Sequence, residues 1–486
     1  NITFKSELDN SVTPAKSKSA QLDTFTGNIS GTGDVTVERF IPAGTNNLRA
    51  FRFLSTAVDS NGTIFDDWQN GGSTTPNNVG THITGSTTGA DGFDATDSGN
   101  PSLLVFDNAS QTWSSIANTN TTATALKAGN AYNLFVRGDR GVDLTASSAA
   151  QNPTNTTLSS TGTLATGSLT TGTEIPALAS GASEWSFIGN PYQAIVDFTS
   201  LTFNGDVNSN FLVIWNPNAS TQGSYQTIDA PSATPRIIQP GQSFFVQNSG
   251  TVNNQPTITF EESDKNTSGT VTSVFSTNNI AVANLELYNN NDTRLDVMKF
   301  RFEAGADNGL DDYDAGKLGN PTENLASLNG STLLSIERRD IPAGTDIIPL
   351  FVDQYQSTDY EFQLNTSNWD DSIDVYLQDD YSDEVTLLDP DGTISFTVDA
   401  SSPGSIATDR FSLIFENTTL GVDDNELEEQ ISLYPNPTDG QFTIQTKGLN
   451  NNVDVRIYNM TGKQVFQKSY KGSSDAEINV NAGNLA

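Results

Sequence analysis

His82 is the chain's one histidine, so a serine triad or an imidazole-ligated metal would have to be built around it alone. It lies in the loop Gly80-Thr81-His82-Ile83-Thr84-Gly85, and no Gly-x-Ser-x-Gly turn accompanies it. A structural or surface role is expected for it. Cysteine is absent, which removes thiolate nucleophiles, thiolate zinc sites and disulfides together. Carboxylates are the abundant resource. A glycosidase needs two of them about 5 to 10 Å apart, and Asp370, Asp371 and Asp374 beside Trp369 have the right residue types. With 58 acidic residues in the chain, however, an acid falls beside most aromatics by composition alone, and no motif fixes a pair in space. No enzymatic activity is expected.

Clustered hard oxygens suit calcium better. One loop, Asp307-Asn308-Gly309-Leu310-Asp311-Asp312-Tyr313-Asp314-Ala315-Gly316, offers the carboxylates of Asp307, Asp311, Asp312 and Asp314; a second, Asp389-Pro390-Asp391-Gly392, offers Asp389 and Asp391. The first lacks the bidentate Glu that closes an EF-hand, since residue 318 is Leu. The second also reads as an ordinary Asp-Gly turn. A loosely held calcium is the one cofactor these residues suggest. Trp68, Trp113, Trp185, Trp215 and Trp369 could stack on sugar rings, but strand tryptophans are core residues more often than ligand contacts.

The elements that must position these groups are strands. Short alternating runs such as Val35-Thr36-Val37-Glu38-Arg39-Phe40 are separated by Gly, Asn and Ser clusters, and helical periodicity is almost absent. The fold class is all-β: several antiparallel β-sandwich domains, jelly-roll or Ig-like, in tandem. Residues 1–19 read as an N-terminal remnant of a longer chain and 20–175 as a sandwich. Residues 176–275 read as a second β layer or domain, marked by Trp185-Ser186-Phe187-Ile188, Phe211-Leu212-Val213-Ile214-Trp215 and Phe244-Phe245-Val246. A further sandwich covers 280–420, an acidic linker 421–429 and a terminal module 430–486. The polar tract 146–173 reads as a strand pair or ordered connector. Acidic residues outnumber basic ones 58 to 23, a formal charge of -35, so nucleic acid is not an expected partner. No run approaches the roughly 20 apolar residues of a membrane helix.

In the terminal module, Leu433-Tyr434-Pro435-Asn436-Pro437-Thr438-Asp439-Gly440 makes a stiff turn into Phe442-Thr443-Ile444, and Val455-Arg456-Ile457-Tyr458 turns through Asn459-Met460-Thr461-Gly462-Lys463. This ordered pair of motifs resembles the type A C-terminal sorting domain carried by cargo of the type IX secretion system of Bacteroidetes. The resemblance implies that Pro435, Asn436, Pro437, Gly440, Tyr458, Asn459, Gly462 and Lys463 serve recognition or folding, never catalysis. It implies as partners the type IX outer-membrane translocon with its shuttle protein, a sortase-like peptidase and lipopolysaccharide; glycans are the partners of the polysaccharide-binding alternative. The family continues past the Ile478, Val480 alternation and Asn1 opens on a polar stretch, so a longer parent chain is expected. Residues 35–140 also resemble, more loosely, a module of large exported proteins of the same bacteria. The expected function is a secreted or cell-surface adhesin or surface-filament segment linked to attachment or gliding; the alternative is a polysaccharide-binding accessory region of a glycan-degrading protein.

Overall fold

The structure, a computed structural model, describes residues 1–9, 16–26, 34–43, 49–145, 153–217, 219, 223–229, 236–250, 255–267, 281–342, 345–369, 373–389, 392–417, 431–435, 441–447, 453–458, 464–471 and 475–481. The chain divides into two units, Asn1–Asn417 and Thr418–Ala486. As the alternation requires, the fold is all-β; helical structure among the described residues is confined to single turns such as Asn70–Gly72 and Phe198–Ser200.

The first unit opens with a sandwich of two four-stranded sheets. One contains, in order, Ile2–Phe4, Val35–Ile41, Thr156–Leu164 and Val58–Ser60; the other Thr112–Ser115, Leu103–Asp107, Tyr132–Val136 and Ala50–Leu54. Leu54, Leu103, Leu134 and Leu158 meet between them. Ile2–Phe4 runs parallel to Val35–Val37, so the N-terminal residues belong to this sandwich. The polar tract supplies its long inner strand, Thr156–Leu164. Small side chains let its neighbours close in: Ser160 Oγ lies 2.5 Å from Thr56 Oγ1, and a Cβ on Gly162 would sit 1.9 Å from the Asp59 carbonyl oxygen.

The second body centres on the sheet Trp185–Gly189, Ser243–Gln247, Phe211–Asn216, Ser224–Asp229. Three of its strands, Trp185–Gly189, Phe211–Asn216 and Ser243–Gln247, are largely apolar runs and not alternating ones, because both faces are buried. Ile188, Leu212, Phe244 and Val246 face the body's own core. Phe187, Phe211, Val213, Trp215 and Phe245 face the opposite way, into a cluster that also takes Phe53, Phe106 and Trp113 from the first sandwich and Ala315 and Ile336 from the third.

The third body is one continuous path of ten strands, from Glu384–Leu387 at one end to Thr393–Thr397 at the other, wrapped around Leu285, Phe300, Leu350, Phe362, Leu413 and Phe415. Thr345–Asp353 joins its two layers. The strand pairs with Phe411–Asn417 up to Pro349 and with Asn324–Asn329 from Leu350 onward. Proline cannot donate to a ladder, so Pro349 stands where one partner is exchanged for the other. Polar ties join the third body to the second: Lys299 Nζ to Asp229 Oδ1 at 2.6 Å, and the Tyr225 amide to Asn320 Oδ1 at 2.9 Å.

The second unit is a small two-layer β module. Ile431–Tyr434, Gln441–Lys447 and Asp475–Asn481 form an antiparallel sheet, and Val453–Tyr458 pairs with Gln464–Tyr470 in a hairpin. Val455 and Val480 form its buried centre, with Phe442, Ile444, Ile457 and Phe466 against them.

Candidate functional site

His82 is buried as part of a polar lock. Its Nε2 lies 3.1 Å from the Arg140 carbonyl and 3.0 Å from that of Val142, and Nδ1 lies 3.2 Å from Asp94 Oδ1. The Arg140 guanidinium grips the same Asp94 carboxylate at 2.7 and 2.9 Å, while Gln69 Nε2 and the Ile83 amide donate to Oδ2. Burial alone would raise the Asp94 pKa; hydrogen bonds from His82 and Arg140 hold it well below the usual carboxylate range. The group ties the loop around residue 82 to the one around residue 140.

The carboxylates of the 307–316 loop serve the chain itself. Asp307 Oδ1 accepts from the Gly309 amide and Asp311 Oδ1 from that of Tyr313. Buried Asp314 accepts the amides of Asp311 and Arg338, one on each oxygen. Arg338 reaches Asp311 Oδ2 and Glu303 Oε2, both at 2.9 Å, with its guanidinium over the Tyr313 ring. Asp312 contributes its carbonyl, which accepts from Asn208 and Asn210. The Asp389 carbonyl accepts from the Gly392 amide, and Asp391 lies outside the described residues. No three carboxylates or imidazoles converge to hold a metal among the described residues. Trp369 donates to the Ile373 carbonyl and packs on Phe302 and Phe415; Asp370 and Asp371 lie outside the described residues.

A feature that single-strand alternation did not single out is assembled by register across four strands of the third body. Leu387 faces Tyr376, Tyr376 faces Ile414, and Ile414 faces Ile347. This apolar row lies on the outer side of the sheet, with Ile347 56% and Leu387 43% exposed. Beside it Val385 is 57% exposed, on the edge strand Glu384–Leu387, which has no outer neighbour among the described residues. Its signal in the sequence was Val385-Thr386-Leu387, apolar residues alternating in a segment otherwise rich in Asp and Glu.

In the terminal module, Pro435 directly follows Ile431–Tyr434, and Tyr458 ends Val453–Tyr458, paired with Gln464. Asn436, Pro437, Gly440, Asn459, Gly462 and Lys463 lie outside the described residues.

Residues 432–486 match the family described as secretion system C-terminal sorting domain. The chain is cargo of the type IX secretion system: this domain engages the type IX machinery and marks export across the outer membrane to the cell surface or extracellular space. No curated protein and no solved structure matches the chain. A second family covers residues 93–415, from the first sandwich to the last strand of the third body. That match spans well over half of the sequence, and the chain belongs to the family described as Domain of unknown function (DUF8693).

Proposed function

We propose that the exported chain is a surface adhesin that binds without catalysis, the first unit being the adhesive body and the second its delivery signal. The observation that carries this reading is the apolar row Leu387, Tyr376, Ile414, Ile347 beside an open edge strand. Apolar side chains in register on a solvent face weaken solubility unless another surface covers them, and an uncovered edge can accept a further strand. The shared core of the first unit suits such a part, because bodies packed into one apolar cluster transmit load between them. In the same reading the outer-membrane translocon and its shuttle protein would recognise the terminal module, and a sortase-like peptidase would remove it. A polysaccharide-binding accessory role is the competing reading.

The test compares surface attachment of the parent bacterium, a gene deletion, and a strain carrying Ile347→Asp with Leu387→Asp, export being matched by immunoblot. The expected result is a several-fold loss of attachment in the deletion, reproduced by the double variant. Attachment unchanged in the deletion would overturn the adhesin reading; attachment lost in the deletion but retained by the double variant would remove the apolar row as its docking face.

A further inference from the structure

The open strand Glu384–Leu387 presents backbone as well as apolar side chains to its surroundings. The Leu388 amide donates to the Val375 carbonyl at 2.7 Å, and backbone groups alternate in direction along an antiparallel strand. Thr386, opposite Leu377, therefore also bonds inward, while Val385 and Leu387 turn both N–H and C=O outward. Those groups meet no further strand among the described residues, and the side chains of the same two residues are exposed. One short stretch thus offers a free ladder and two apolar contacts together, the geometry that takes up an added strand.

A row of acids beside the apolar row fixes the partner's charge. Asp374 stands directly opposite Glu416, two residues along from the pair Tyr376 and Ile414 and on the same outer face; like charges so placed repel. Leu388 is buried and Asp389 follows it, exposed, at the same end of the edge strand. None of the three takes part in an ion pair among the described residues, and no three carboxylates converge there on a metal ion. Their field reaches the apolar row, since the Tyr376 phenol is pushed up by desolvation first and by Asp374 and Glu416 after it. A lysine or arginine on the incoming strand would relieve this repulsion. A second copy of this chain would not. Pairing Val385 with Leu387 about a two-fold axis brings Asp383 of one copy against Asp389 of the other, in a chain whose formal charge is already -35. Resting on the docking face proposed above, we infer that Glu384–Leu387 takes up a β-strand of a basic partner protein. Its alternate apolar residues lie opposite Val385 and Leu387 and its lysine or arginine opposite Asp389, which in an antiparallel partner reads basic-x-apolar-x-apolar.

Purified full-length chain is titrated calorimetrically with the capped peptide KTKTVTIT and its acidic counterpart ETETVTIT. The basic peptide should bind, and the acidic one should bind tenfold or more weakly. Val385→Pro removes an outward amide that bonds nothing in the body, a change edge strands accept, so it should weaken binding tenfold or more at an unchanged melting temperature. Asp374→Asn with Glu416→Gln should erase the preference for the basic peptide without lowering the melting temperature, because it removes a repulsion. The inference is overturned if neither peptide binds, if the acidic peptide binds as tightly, or if Val385→Pro binds as the parent chain does. It is also overturned if the parent chain alone sediments as a dimer that Val385→Pro dissolves, which would make a second copy the occupant. Attachment lost in the Ile347→Asp, Leu387→Asp strain but kept by Val385→Pro would leave the docking face standing and remove strand addition.

Discussion

Two buried carboxyls set the acid side of this protein's stability. Burial pushes Asp67 up to about 6, with Ser60 Oγ and the Thr161 amide only partly offsetting it, and burial likewise pushes Asp314 up to about 6 against its two amide donors. A carboxyl with a raised folded pKa binds more protons folded than unfolded between its two values. Its stabilising contribution is complete below the unfolded pKa and is lost as pH rises through about 6. Asp94 works in the opposite sense: its contribution is present above the unfolded pKa and is lost only as pH falls through its depressed folded value. Stability should therefore rise on acidification from about pH 6 toward about 4 and fall again below about 4. Asp67→Asn should flatten the rise between pH 4 and 6, read as melting temperature by calorimetry; an unchanged slope would contradict the assignment. In the 307–316 loop Arg338 supplies the positive charge that an ion would otherwise bring. Chelator should leave the melting temperature within a degree, whereas Arg338→Met should lower stability by roughly 1–3 kcal/mol, the range for charge-assisted bonds left unmade. The loop's oxygen count was legible in the sequence; that Arg338 and local amides consume those oxygens was not, because Arg338 arrives from a strand more than twenty residues away.

Strands were legible wherever one face is wet, as in Ala281–Asn289, where Ala283, Leu285 and Leu287 are buried and their neighbours partly exposed. Two kinds of element escaped that logic. Thr156–Leu164 buries threonine, serine and glycine as well as leucine, so its inner face carries too little apolar contrast to separate a strand from the ordered connector that the tract also suggested. In Ser243–Gln247 the run Phe244-Phe245-Val246 declares burial but not which residue faces which neighbour. The structure resolves this: Phe244 and Val246 serve one core, and Phe245 serves the cluster shared by all three bodies. Phe245 stacks on Phe187 at 4.6 Å between ring centroids and meets Phe53 edge-on at 5.7 Å. Phe245→Ala should therefore cost about 3–5 kcal/mol, as large-to-small changes in well-packed cores do. Because the cluster is shared, thermal unfolding of residues 1–417 should remain a single transition that shifts as a whole; separate transitions for the three bodies would refute the shared core.

At the scale of the whole molecule, the proposed adhesion and the delivery fall to two units that each possess their own core. The delivery unit was the more legible of the two, since its turn and hairpin motifs lie within a few residues of one another. The apolar row was not, since its four side chains come from positions 347, 376, 387 and 414 and meet only through strand register. Among the described residues, the terminal core holds two buried valines with four partly buried apolar residues around them. Ending the chain after Asn417 should accordingly leave the melting temperature of the remaining unit within about 2 °C, because ten strands already enclose Phe411, Leu413 and Phe415. Its destination should change completely. In a type IX-competent host, the shortened protein should accumulate folded in the periplasm while the intact chain reaches the surface or the medium, as read by fractionation and by protease accessibility of whole cells. Equal surface display of both would separate this chain's export from its terminal module, whereas a shortened protein that unfolds would show that the module also supports the body it delivers.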